Sequence, residues 1–162
     1  MTELTAADRV ELRALADRYA RCVDRNDGPG LADVFRPDAR LQVFRPSDAT
    51  APTSQSVGID ELTQIPARVA QMCLRTFHFV GNSVYEPGVD AVSASGEVLC
   101  QAHHLRVDAA TGGGTNYVMF IRYFDQYRRN DDGAWRIADR QVLVDWTELH
   151  PADPTGGRLP AE

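Results

Sequence analysis

The residues best suited to chemistry lie in one short stretch, R-T-F-H-F-V-G-N, from Arg75 to Asn82. Aromatic and β-branched residues alternate with others there, which predicts a strand with Phe77 and Phe79 on one face and His78 and Val80 on the other. His78 then sits among apolar neighbours and needs a hydrogen-bond partner. The candidate is Asp24, an acid at the end of the first predicted helix. A carboxylate in that place would fix the imidazole tautomer and stabilise the imidazolium formed when a proton is taken, which is the chemistry of a general base. The plainer alternative is a core histidine tied to a backbone carbonyl.

Further candidates lie downstream. His103 and His104 are neighbours on a predicted strand, so they point to opposite faces and only one can enter a cavity. Tyr117 and Tyr123 share a face with Met119, Ile121 and Asp125, because their spacing is a multiple of two. If that face lines a cavity, a tyrosine hydroxyl could supply an acid; if it is the outer face, the same residues make an oligomer interface. Asp125 and Asp145 read as solvated or salt-bridged, and Trp135 and Trp146 as core or rim packing.

The elements that must position these groups are legible in order. Thr5 reads as an N-cap with Asp8 in the place of a capping-box acid, and Leu12, Leu15, Ala16, Tyr19, Ala20 and Val23 recur at helical spacing. Asn26-Asp27-Gly28-Pro29-Gly30 breaks that helix, a short second helix is expected over Leu31 to Phe35, and a strand over Ala39 to Phe44. Ser47 to Ser56 reads as a loop. A third helix begins near Ile59, kinked or split at Pro66. The rest reads as long strands: Thr76 to Glu86, Ala91 to Val107 with a bulge at Gly96, Asn116 to Arg128 and Trp135 to Thr147. The turns between them contain Pro87-Gly88, Gly112-Gly113-Gly114 and Asn130 to Gly133. The expectation is one α+β domain over residues 1–150, with a loose tail over 151–162. Helices apolar on one side must cover one face of a curved, mainly antiparallel sheet, leaving a cavity between the two.

Composition narrows the function classes. The formal charge is −6, and all 17 basic residues are arginine, without a basic run. That argues against nucleic acid as a partner, since phosphates are held by clustered positive charge. No apolar run approaches the length that spans a bilayer, which points to a cytoplasmic protein without a membrane partner. Cys22, Cys73 and Cys100 are odd in number and lack C-x-x-C spacing, arguing against a disulfide framework and against a structural metal.

Four segments carry a family resemblance: Y-A-R-C-V-D-R-N-D in the first helix, T-F-H-F-V-G-N, V-L-C-Q-A-H-H-L-R-V, and W-R-I-A-D-R on the last strand. With the order of elements, they resemble the nuclear transport factor 2-like superfamily, and within it the SnoaL-like branch that includes scytalone dehydratase and hexachlorocyclohexane dehydrochlorinase. The resemblance runs from about Ala7 to Trp146. It implies a cone-shaped barrel and places Asp24 and His78 at the positions of the aspartate–histidine pair of both lyases. It places Arg140 at a pocket arginine of the dehydrochlorinase, with an ion pair closing the cavity floor as the alternative role. It favours His103 over His104 as a second cavity histidine.

Departures prevent transfer of either activity. Val23 and Val43 stand where scytalone dehydratase has a pair of tyrosines, and Tyr19 stands where the dehydrochlorinase has a lysine. What the resemblance implies is a reaction class: a cofactor-independent lyase or isomerase of dehydratase or cyclase type. Its substrate would be a small hydrophobic cyclic compound, held by Tyr19, Val43, Val80, Tyr117 and Tyr123. A non-catalytic binding module on the same fold is the alternative, and a dioxygenase β subunit with a large partner is a third. A homo-oligomer, dimer or trimer, is expected because Phe120 and Phe124 would lie on an outer sheet face.

Overall fold

Thr5 starts the first helix, α1 (Ala6–Asp24), as its cap. The Asp8 backbone N–H donates to the Thr5 hydroxyl at 3.1 Å and the Thr5 N–H donates to the Asp8 carboxylate at 2.8 Å, so the expected capping box is present. The Trp135 indole also donates to Asp8, at 3.0 Å, which pins the start of the helix to the last strand. The structure is a computed structural model describing residues 3–45 and 50–155.

After α1 come a 3-10 turn (Pro29–Asp33), β1 (Phe35–Phe44), β2 (Ser54–Val57), α2 (Ile59–Leu62) and α3 (Ile65–Met72). Four long strands follow: β3 (Arg75–Pro87), β4 (Ser93–Val107), β5 (Gly114–Arg129) and β6 (Trp135–Ala152). One six-stranded sheet has the order β2-β1-β6-β5-β4-β3. Every pairing is antiparallel except β1 with β6, which run parallel. The sheet curls without closing and the helices lie over its concave face, the expected α+β cone. The apolar stripe of α1 is buried against that face, with Leu12, Leu15 and Ala16 at most 1% exposed.

Several boundaries differ from expectation for physical reasons. The predicted helix over Leu31 to Phe35 is a 3-10 turn that ends at Asp33, and Phe35 already belongs to β1. Pro37 is tolerated inside β1 because it falls where pairing with β6 is interrupted, between Phe35 and Arg40. Pro66 does split the third helical segment, sitting in the first turn of α3, where its missing N–H has no helical acceptor to lose.

Gly96 makes no bulge; it is paired in regular register with Tyr85 and Asp125. A Cβ on it would stand 2.7 Å from the Tyr85 ring and 3.1 Å from the Tyr127 ring, so glycine makes room for two aromatics. The irregularity lies instead between Val80 and Ser83 of β3, where Arg13 of α1 donates to the Val80 and Gly81 carbonyls at 3.0 and 2.6 Å. The tail begins later than expected, since Pro151 and Ala152 still pair with β5, and residues 156–162 lie outside the described ones. Of the loop expected over Ser47 to Ser56, residues 47–49 lie outside the described ones and Ser54 to Ser56 form part of β2. Cys22, Cys73 and Cys100 are all free thiols. No helix among the described residues is long and apolar enough to cross a membrane.

Candidate active site

Strand alternation and the end of α1 together build the central feature. On β3, Phe77 and Phe79 face outward, each 61% exposed, while the His78 side chain faces inward and is 6% exposed. The α1 stripe that buries Tyr19 and Val23 carries the last helical residue, Asp24, to the same strand. Asp24 Oδ1 lies 2.7 Å from His78 Nδ1, and Oδ2 accepts the His78 backbone N–H at 2.9 Å. The Thr76 hydroxyl adds a third donor to Oδ1, at 2.7 Å. Burial alone would raise the Asp24 carboxyl. The hydrogen bonds from the His78 ring, the His78 amide and Thr76 outweigh it and hold the carboxyl below its ordinary value.

An ionised carboxylate can only accept, so Nδ1 of His78 carries a proton and Nε2 is the basic nitrogen. His78 lines a cavity of about 470 Å³ between sheet and helices, and so do Tyr19, Val43, Tyr117 and Tyr123. Its walls are otherwise largely apolar, with Val23, Leu41, Ile65 and Val69 among them.

The second histidine in this cavity is His104, not His103. The pairing of β4 with β3 and β5 sets His104 opposite Thr76 and Tyr117, on the inner face, and His104 is buried at 7% exposure. His103 points to the outer face, where its ring meets Phe77 edge-on and its Nδ1 lies 2.9 Å from Asn116 Nδ2. Burial along β4 agrees with this placement. Val98, Cys100 and Ala102 share His104's parity and are buried, whereas His103 shares parity with Glu97 and Gln101. The His104 ring centroid is 5.9 Å from that of His78, and its buried Nδ1 makes no hydrogen bond among the described residues. Burial and the neighbouring His78 push its pKa down to about 4, against a weaker opposite pull from the Tyr117 and Ala102 backbone. It is a neutral imidazole near pH 7.

Two other expected site residues lie off the cavity surface. Arg140 is fully buried and forms a two-point ion pair with Asp125, at 2.8 and 2.6 Å. Its guanidinium packs against the Tyr19 and Tyr123 rings, 4.5 and 4.2 Å from their centroids, and the two rings meet each other edge-on at 5.8 Å. These rings stand between Arg140 and the cavity, so the arginine supports the floor without lining it. Val80 faces inward but packs against the core. Burial pushes the Tyr19 phenol up to about 12 and Tyr123 well above its ordinary range, so both rings present neutral surfaces.

Three further residues were not anticipated. Thr76 was recoverable from the strand, since it lies two residues before His78 and so shares its face. Arg106, two residues after His104 on β4, shares the face of that histidine, whereas Arg45 had no local signal; both line the cavity beside Tyr117. Among the described residues, no group of three or more His, Cys, Asp and Glu side chains could hold a metal ion.

A SnoaL-like domain model matches residues 4–141. The chain belongs to the SnoaL-like family. Solved structures similar to this SnoaL-like protein include a scytalone dehydratase-like protein of Novosphingobium aromaticivorans, 18% identical over 94% of this chain and 96% of that one, with a TM-score of 0.70. A hexachlorocyclohexane dehydrochlorinase of Novosphingobium barchaimii is 17% identical over 95% and 96% of the two chains, with a TM-score of 0.69. A Mycobacterium tuberculosis protein of unknown function is 24% identical over 86% of this chain and 72% of that one, with a TM-score of 0.68. At these identities the likeness is one of fold. No curated protein matches the SnoaL-like chain.

Proposed function

We propose that this protein is a cofactor-independent lyase or isomerase that removes a proton from a small hydrophobic cyclic substrate. The observation that carries the reading is His78, tied through Nδ1 to Asp24 and lining a mainly apolar cavity. Nε2 takes the proton and Asp24 stabilises the imidazolium; the electron pair left on the substrate expels a leaving group, shifts a double bond or closes a ring. Neutral His104 and Tyr117 stand on the same wall to hydrogen-bond the atom that gains negative charge. Tyr117 accepts a hydrogen bond from Arg45 at 2.9 Å, which leaves its own hydroxyl proton free to donate. The fold likeness to lyases supports the same reaction class without fixing the substrate.

The test needs no knowledge of the net reaction. A panel of cyclic ketones and hydroxyketones is incubated in D₂O and followed by NMR. The parent washes deuterium into an activated C–H position, whereas His78→Ala does not. Exchange by the variant at the parent rate, or no exchange by the parent with compounds that bind it, would remove the base from the reading and leave a binding module.

A further inference from the structure

We infer that the substrate carries an ionised carboxylate, and that Arg45 and Arg106, placed around Tyr117, hold it. This rests on the reading of the cavity as the substrate site and adds the chemical class of what enters.

The chain has 23 Asp and Glu against 17 arginines, yet among the described residues the cavity wall contains Arg45, Arg68, Arg106, His78 and His104 and no carboxylate. Among the described residues, the basic side chains of this concavity thus face no acid across it. Elsewhere several of its arginines pair with acids: Arg40 donates to Asp139 at 2.8 Å, and Arg122 bridges Glu97 and Asp145 at 2.6 and 2.7 Å. Among the described residues, neither Arg45 nor Arg106 has such a partner. Arg45 donates from Nη1 to the Tyr117 hydroxyl at 2.9 Å, and its Nη2 lies 3.9 Å from the Met119 sulfur. The Arg106 guanidinium lies over the Tyr117 ring, 4.7 Å from its centroid. Both are held by neutral groups that orient a guanidinium without neutralising it.

A guanidinium has five N–H donors in a planar fork that matches a carboxylate. Contacts to one hydroxyl, one sulfur and one ring face leave most of these donors open. Arg68 contributes charge but is tied to the fold, its Nη2 donating to the Ser56 hydroxyl at 2.8 Å and the Glu61 carbonyl at 2.9 Å. Low-dielectric walls focus the resulting positive field on whatever occupies the cavity.

The position of the pair decides what the anion does. His104 separates the base from Tyr117, with its ring centroid 5.9 Å from His78 and 6.2 Å from Tyr117. An anion at the arginines therefore lies on the far side of His104 from the base. It anchors the molecule away from the reacting carbon, and its loss falls on binding more than on the chemical step.

The test compares 2-naphthoate with 2-naphthamide, which match in shape and differ in charge, by calorimetric titration at low and high salt. Chemical shifts of the His78 and His104 rings report whether the probe sits in the cavity. The parent is expected to bind the carboxylate roughly tenfold more tightly than the amide, with the preference shrinking as salt rises. In Arg45→Gln with Arg106→Gln the preference disappears while amide affinity stays. Arg106 is exposed, so Arg106→Gln alone provides a folded variant with part of the effect. Equal affinities in the parent, a preference that survives both substitutions, or binding of neither probe would overturn the anion site. Deuterium exchange that depends on His78 in a protein without carboxylate preference would sink this inference and spare the dyad. Carboxylate preference without exchange would do the reverse.

Discussion

Asp24 grips His78 at two points, receiving its backbone N–H at 2.9 Å on one oxygen and facing its ring Nδ1 at 2.7 Å with the other. The first bond fixes where the residue sits on β3. The second fixes which nitrogen is left for the cavity. A carboxylate bound to the ring alone would orient an imidazole that could still drift with its strand. The two-point grip ties helix, strand and tautomer into one unit.

That unity sets the expected kinetics of its variants. His78→Ala should lower turnover on the order of 10²- to 10⁴-fold, and Asp24→Asn should lower it while keeping the shape. The double variant should lose little more than His78→Ala alone, because both changes disable one device. Additive losses in a double-variant cycle would show that the residues act separately.

The two adjacent histidines should separate cleanly. His103→Ala changes a ring on the outer face beside Phe77 and should leave turnover near the parent value. His104→Ala removes a neutral hydrogen-bonding group from the cavity wall and should lower it. Steady-state rates for the two variants decide the matter, and the reverse order would overturn the placement.

His104 also predicts a pH dependence of stability. Its folded pKa, about 4, lies below the ordinary imidazole value of 6.5, so between these values the unfolded chain binds a proton that the native protein does not. Stability should be intact above about pH 6.5 and fall as pH drops towards 4, by up to about 3 kcal/mol. Asp24 and Asp8 are held below the ordinary carboxylate value, so their contributions are lost only at more acid pH. Urea titrations of the parent and His104→Leu from pH 7 to pH 4 should show a flatter profile in the variant.

The buried pair Arg140–Asp125 should matter for folding before it matters for chemistry. Asp125→Asn leaves a guanidinium without its counter-ion at zero exposure, and a loss of about 3–5 kcal/mol is expected. Arg140→Met with Asp125→Leu removes both charges and should recover part of that loss. Denaturant midpoints of the parent and the two variants measure it. A single variant as stable as the parent would contradict the burial.

The outer sheet face should self-associate. Phe120 and Trp146 are neighbours on β5 and β6, stacked at 4.2 Å with Trp146 half exposed, and Phe79 of β3 lies beyond Gln101 of β4 in the same row. Water disfavours such a surface. Sedimentation at micromolar concentration should show a dimer or trimer, and Phe79→Asp with Trp146→Asp should dissociate it. A monomeric parent would count against the interface.

Features written in local chemistry were readable before any fold was known. Thr5 and Asp8 announce a helix start because their side chains satisfy backbone donors within one turn. The alternation of Phe77, His78 and Phe79 announces a strand with one imidazole on its inner side, because successive side chains point oppositely. Asn130 to Gly133 announces a hairpin, and Gly133 there takes a left-handed φ of 80°. Even the likelihood of an Asp24–His78 meeting was open to the family pattern.

Phase and distant partnership were settled only by the tertiary structure. Alternation says that His103 and His104 face opposite ways; the pairing of His104 with Thr76 and Tyr117 says which faces in. Arg140 becomes a floor support because the β5–β6 register sets it opposite Asp125. Arg45 meets Tyr117, 72 residues away, only because β1 inserts next to β6 in parallel. A short window carries the period of its side chains at almost no cost in chain entropy. Register and long-range contact depend on the burial summed over the whole sheet, and no single window contains that sum.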